Sequence, residues 1–327
     1  MTERRDPGVV RVAPGSSEVR LQPLVRARVA ALGEVGRTWA DALPGVLAEL
    51  AGRWSLRLGR SLPGGSASYL ATAVRADGTE AVLKVALPDP AFGELAEALR
   101  AAGGRGYVRV LEVDEEHHAL LLERLGPALE RVGGGVEARL DALATTLLAA
   151  WRTPDRPASD KAGSLAAGIR TFHAAHPGAA DEAVVDHALG CAAALGRTDP
   201  SDLVLVHGDP HPGNLLRVAH PRPGAETGWC FVDPDPFVAD AAYDLGVAVR
   251  DFSGALLADP GSAPARLRAW CARAAAPSGA DPDRVWAWGF LERVSTGLYV
   301  TSFGAPRVAE PFLRSAALLL GGNPANC

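Results

Sequence analysis

Asp209, Asn214 and Asp233 are the residues whose types and spacing could do chemistry together. The apolar run Leu203 to Val206 is short enough for a buried strand and stops at His207-Gly208-Asp209, so Asp209 should emerge at a strand tip. A second run, Trp229 to Val232, delivers Asp233 in the same way. Two carboxylates and an amide converging from neighbouring strand ends suit phosphoryl transfer. One acid orients the proton of an acceptor hydroxyl, while an amide oxygen and a carboxylate hold Mg²⁺ against phosphate oxygens. Asp209 fits the first role, Asn214 and Asp233 the second. Magnesium keeps several waters, so one carboxylate and one carbonyl oxygen are a sufficient protein contribution.

A zinc reading of His207, Asp209 and His211 lacks a third nitrogen or sulfur ligand nearby, and Pro210 and Pro212 make a rigid loop rather than a helix presenting both imidazoles. His207 is expected to fix the loop backbone, and His211 to do the same or to line an acceptor site. Asp240 reads as the N-cap of a helix starting near Ala241.

Phosphates need a second set of groups upstream. Trp54 to Leu62 and Tyr69 to Ala76 read as strands joined by Pro63-Gly64-Gly65-Ser66-Ala67-Ser68. This is either an ordinary hairpin turn or a loop whose backbone and Ser66 and Ser68 hydroxyls meet phosphate oxygens. Asp77-Gly78 then signals a hairpin into Thr79 to Ala86, where alternation places Val82 and Lys84 on one face and Ala81, Leu83 and Val85 on the other. Lys84 is the only lysine in the first 160 residues. It is an edge-strand snorkel or a phosphate-pairing ammonium, and its place one hairpin after the candidate phosphate loop favours the latter. On the helix expected over Phe92 to Arg100, Glu94 and Glu97 share a face, and either could hold that lysine or simply face solvent.

HGDPHPGN followed by FVDPDPFVADAAYDLG resembles the catalytic and metal-binding motifs of the aminoglycoside phosphotransferase family. The VDPDP form, with RADGTEAVLKV and YVRVLEVDEEHHALLLERLG, is most similar to the branch of streptomycin 6-kinases and hydroxyurea phosphotransferases. The resemblance implies an α+β, bilobal protein-kinase-like fold: a small antiparallel-sheet N-lobe and a larger, mainly helical C-lobe. It implies a catalytic base at Asp209, metal ligands at Asn214 and Asp233, and a phosphate-binding lysine at Lys84. Adenine would be recognised by the hinge backbone between Glu123 and Leu125, and Asp244 would brace the catalytic loop. The implied activity is ATP- and Mg²⁺-dependent phosphorylation of a hydroxyl on a small-molecule antibiotic, a cationic streptomycin-like aminoglycoside first. A nucleoside antibiotic, hydroxyurea, or a metabolic sugar or amino-alcohol is the alternative acceptor. A catalytically silent nucleotide-binding module would have lost one of Lys84, Asp209, Asn214 or Asp233, and all four are present.

The rest of the chain has to position these groups. Its 327 residues suffice for two lobes, and a formal charge of -5 with scattered arginines argues against non-specific nucleic-acid binding. Cys191, Cys230, Cys271 and Cys327 show no metal or disulfide spacing, and no apolar leader or membrane span is evident. A cytoplasmic monomer or weak dimer is expected. Residues 1–22 read as a mobile arm, 23–125 as the nucleotide-binding lobe with leading helices, and 126–327 as the helical lobe. Two helices broken at Pro44 should precede the first strand. Three amphipathic helices should fill Val136 to Arg197, the first carrying Leu140, Leu147, Leu148 and Trp151. Helices near Ala241–Leu257, Ala263–Ala275, Pro282–Tyr299 and Val308–Leu320 should follow the catalytic stretch.

Overall fold

The computed structural model describes residues 9–10, 19–63 and 67–321. The chain divides into two compact units, Met1–Gly104 with Val108–Leu125, and Arg105–Tyr107 with Gly126–Cys327.

In the first unit, β1 (Val9–Val10) pairs antiparallel with β2 (Val19–Arg20), and Val19 and Leu21 are buried in the unit's core. The C-terminal end of the stretch read as an arm is thus part of the packed structure. Helices α1 (Pro23–Ala31) and α2 (Gly33–Arg53) follow. The break falls at Gly33 and not at Pro44: Gly33 takes a φ of +59°, which only glycine adopts cheaply, whereas Pro44 is carried inside α2. The buried stripe Ala40, Leu43, Leu47 and Leu50 lies at helical spacing and covers one face of a sheet.

That sheet contains β3 (Leu56–Ser61), β4 (Ser68–Arg75), β5 (Glu80–Ala86), β6 (Val110–Asp114) and β7 (Ala119–Glu123), antiparallel in the order β3-β4-β5-β7-β6. Alternation fills the core as expected, with Ala71 and Ala73, then Ala81, Leu83 and Val85, then Ala119 and Leu121 pointing inward. Each large side chain buried there contributes about 1.5–3 kcal/mol. Trp39 and Trp54 pack against this core, and Trp39 Nε1 donates to the Ala86 carbonyl at 2.8 Å. Helix α3 (Phe92–Ala102) connects β5 to β6 and ends at Gly103 in the left-handed region.

The second unit holds α4 (Val136–Ala150), α5 (Lys161–Ala175), α6 (Glu182–Leu195), the strands β8 (Leu203–Leu205), β9 (Leu215–Arg217), β10 (Trp229–Phe231) and β11 (Val238–Asp240), and then α7 (Ala241–Arg250), α8 (Ser253–Ala258), α9 (Ala263–Ala275), α10 (Pro282–Ser302) and α11 (Pro306–Leu320). The single helix expected over Ala241–Leu257 is two, parted at Asp251 and Phe252. Leu148 is 49% exposed, off the buried α4 stripe of Leu140, Leu143 and Leu147. Tyr107, just ahead of β6 in the chain, bridges to Phe231 of β10 and belongs to the second unit.

Helix α10 is the axis of this unit. Val285, Phe290, Leu291, Val294 and Leu298 are fully buried around its circumference, as it packs against α5, α6, α7, α9 and α11. Gly246 of α7 meets it closely: a Cβ there would lie 2.6 Å from Trp288 Cβ. Among the described residues no helix is long and apolar enough to cross a membrane.

Candidate active site

The stretch carrying Asp209 and Asn214 follows β8 and the stretch carrying Asp233 follows β10, but these strands are not paired with each other. β8 pairs with β11, and β9 with β10. The two loops are joined instead by backbone bonds. Val232 N–H donates to the Asn214 carbonyl at 2.9 Å, and Asp235 N–H donates to the His207 carbonyl at 2.8 Å. Asp209, Asn214 and Asp233 therefore sit on two loops laced together within one unit.

His207 is fully buried and supplies a third link, in the loop-fixing role expected of it. Its Nδ1 accepts the Asp209 backbone N–H at 3.1 Å, so Nε2 carries the proton and donates to the Val232 carbonyl at 3.0 Å. Burial pushes its pKa down to about 4, so the ring is neutral near pH 7. The position after His207 requires glycine. Gly208 has a φ of +90°, and a Cβ would lie 2.0 Å from the Asp235 carbonyl oxygen.

Asp244 braces the loop from beneath. It is fully buried; Oδ2 accepts His207 N–H at 2.7 Å and Trp151 Nε1–H at 2.8 Å, while Oδ1 accepts Gly208 N–H at 2.9 Å. Burial pushes its pKa up to about 6 against the pull of these three donors. Asp240 caps α7 by accepting Ala242 N–H at 2.8 Å. His211 Nδ1 accepts Gly213 N–H at 3.1 Å, and its Nε2 lies 3.7 Å from Asp209 Oδ2.

The Asp209 side chain is 45% exposed. Burial of its inner side raises its pKa, but Arg250 and His211 outweigh this and hold the carboxyl below the usual carboxylate range. Arg250, which the sequence showed only as the lone base among six acids from Asp233 to Asp259, is the site residue that motif reasoning missed. Its Nη2 donates to Asp209 Oδ1 at 3.1 Å and to Asp251 Oδ1 at 2.9 Å; its Nη1 reaches Glu292 Oε2 at 3.4 Å and Thr296 Oγ1 at 3.3 Å. Tyr243 closes the network: its hydroxyl donates to Glu292 Oε1 at 2.6 Å and lies 3.3 Å from the Gly208 carbonyl. A lone base among acids, shortly after the stretch carrying Asp233, was the available signal.

Asn214 Nδ2 donates to the Asp209 carbonyl at 3.1 Å, which assigns the amide orientation and leaves Oδ1 as the atom that could meet a cation. Asp233 holds a φ of +54° immediately before Pro234, a conformation the following proline disfavours. Such strain costs on the order of 1–3 kcal/mol and persists because the laced backbone on both sides imposes it. A hard oxygen pair of this kind suits Mg²⁺.

In the first unit, Lys84 lies on β5, the central strand, between Leu70 of β4 and Leu120 of β7 in register, and is 7% exposed. An edge-strand snorkel is therefore excluded. Glu94 lies in the first turn of α3 and Glu97 one turn later, both exposed. Ser66 lies outside the described residues. Ser68, expected in the turn, instead opens β4 opposite Ala86 and is buried. Glu123 N–H donates to the Arg109 carbonyl at 3.0 Å, and its Oε1 accepts Arg109 N–H at 2.7 Å. Leu125 is buried at the end of the unit.

Residues 53–304 match the family of aminoglycoside/hydroxyurea antibiotic resistance kinases. The chain belongs to that family. A hydroxyurea phosphotransferase of Kitasatospora aureofaciens is 35% identical over 223 residues, covering 65% of this chain and 62% of that protein. A streptomycin 6-kinase of Streptomyces glaucescens is 34% identical over 236 residues, covering 70% of this chain and 73% of its own. For the fold, the choline kinase LicA of Streptococcus pneumoniae superposes with a TM-score of 0.55 at 13% identity, over 84% of this chain and 99% of that one. The chain thus has the α+β protein-kinase-like architecture.

Proposed function

We propose that this family member is an ATP-dependent O-phosphotransferase that modifies a hydroxyl of a streptomycin-like antibiotic in the cytoplasm and so confers resistance. The observation that carries it is Asp209: half exposed, held anionic by Arg250, and laced to the loop presenting Asp233. Asp209 would orient the acceptor hydroxyl for in-line attack on the γ-phosphate and accept its proton. Lys84 would bind the α- and β-phosphates, and Glu94 or Glu97 would hold that lysine. The backbone of Glu123 and Leu125 would meet the adenine. Asn214 Oδ1 and the Asp233 carboxylate would hold Mg²⁺, whose chemistry is to neutralise charge developing on the phosphate oxygens. Because the transition state is loose, positioning and charge neutralisation carry most of the acceleration.

The relative named for hydroxyurea supports a second acceptor reading, a small hydroxyl compound. Incubation of the purified chain with γ-labelled ATP and either streptomycin or hydroxyurea separates the two. Asp209→Ala should lower turnover by at least ~100-fold with ATP binding preserved. Near-normal turnover in that variant would defeat the assignment.

A further inference from the structure

Helix α10 carries a strip that leads from the Asp209 cluster to solvent. Glu292 and Thr296 approach Arg250, and Tyr299 and Phe303 follow at positions seven and eleven residues beyond Glu292. At 100° per residue Glu292, Thr296 and Tyr299 fall on one face, and Phe303 continues it from the C-cap position just past the helix; at 1.5 Å per residue Tyr299 and Phe303 lie roughly 4–11 Å beyond Thr296 along the axis. Burial falls steadily outward along this face: Glu292 is 5% exposed, Tyr299 44% and Phe303 62%. The outer rings are ordered against each other. Tyr299 meets Phe303 edge-on at 4.6 Å between centroids, and Phe172 of α5 meets Tyr299 at 5.7 Å.

At the inner end, the cation–π position over Phe237 and Tyr243 is taken by the protein's own Lys161, whose Nζ lies 4.7 Å and 5.5 Å from the two ring centroids. The ring faces on offer to a ligand are the outer ones. Their link to Asp209 runs along the helix face: Thr296 Oγ1 lies 3.3 Å from Arg250 Nη1, and Arg250 Nη2 lies 3.1 Å from Asp209 Oδ1. A molecule as small as hydroxyurea, seated at Asp209, would not reach them.

We propose that Tyr299, Phe303 and Phe172 form the platform on which the distal, cation-bearing part of a multi-ring antibiotic acceptor stacks while its hydroxyl meets Asp209. This rests on the phosphotransferase reading and selects a guanidinium-bearing aminocyclitol over a small acceptor. Recognition comes from cation–π attraction and from burial of the ring faces, so it acts on acceptor affinity rather than on the transferred phosphoryl group.

The test is steady-state kinetics with streptomycin at saturating ATP, together with calorimetric titration of streptomycin, for the wild type, Tyr299→Phe, and Tyr299→Ala/Phe303→Ala. Both positions are exposed, so melting temperature and the KM for ATP should stay unchanged. In the double alanine variant, KM and Kd for streptomycin should rise about ten-fold, with kcat within about two-fold of wild type, and Tyr299→Phe should behave as wild type. An unchanged streptomycin KM in the double variant would overturn the platform and leave the phosphotransferase reading standing. A wild type that neither binds nor turns over streptomycin would overturn the acceptor reading and the platform with it.

Discussion

Asp209 and Arg250 show how one contact can serve both orientation and charge. A carboxylate lining a partly buried loop would ordinarily be pushed toward its neutral form, and a neutral acid cannot accept the acceptor's proton. Arg250, itself held by Asp251 and Glu292, offsets that tendency and aims Oδ1. The sign of its pH effect follows directly. Activity is lost as pH falls through the Asp209 pKa, and removing Arg250 raises that pKa. Arg250→Gln should therefore move the acid limb of the kcat/KM profile to higher pH and lower kcat, with partial rescue in Arg250→Lys, which keeps the charge but not the fork. A pH–rate profile whose acid limb stays in place in Arg250→Gln would show that Arg250 merely fills space.

The elements around the site were unevenly legible. The β4-β5 hairpin at the middle of the sheet could be read because Ala81, Leu83 and Val85 alternate with Val82 and Lys84, and Asp77-Gly78 fixes a register. The pairing of β8 with β11 could not, since runs as short as Leu203–Leu205 carry no partner information and the lacing runs through loop backbone. Pro44 misled because tertiary packing of Leu43 and Leu47 outweighs a local breaker, and Gly33 was the stronger stop. His207 is the element-scale tie, and its titration reports on it. Its folded pKa of about 4 lies below the ordinary imidazole value of 6.5, so the stabilisation is fully present above pH 6.5 and lost as pH falls toward 4. The shift corresponds to on the order of 3 kcal/mol. Asp244, pushed up to about 6, works in the opposite direction over much of this window, so the wild-type curve alone is not diagnostic. The stability difference between wild type and His207→Gln should grow as pH is raised from about 4.5 to 6.5 in denaturant melts. A flat difference would mean that His207 is not buried neutral.

For the molecule as a whole, the 33 basic and 38 acidic side chains leave a net charge of -5. Many of the charges are spent locally, as in the exposed pairs Arg273–Asp141 and Arg314–Glu310, which contribute little to stability. The residual field is what an approaching ligand meets. Within the run from Asp233 to Asp259, Asp240 and Asp244 are buried and Asp251 and Asp259 pair with Arg250 and Arg266, so part of its negative charge is offset locally. A cationic acceptor is drawn toward such a surface and a neutral one is not, and the attraction is screened once the Debye length shrinks from about 10 Å at 0.1 M salt to roughly 4–5 Å at 0.5 M. With ATP and Mg²⁺ saturating, kcat/KM for streptomycin should fall several-fold between 0.05 and 0.5 M salt, chiefly through KM, while turnover of hydroxyurea, if it is accepted, should hold constant. The measurement separates long-range attraction from the contacts at the aromatic strip, because Tyr299→Ala/Phe303→Ala should raise KM at every salt concentration and leave the slope unaltered. A streptomycin KM indifferent to salt would mean that the acceptor's charge is read only at contact distance, and the acid-rich run after Asp233 would then be a feature of loop architecture alone.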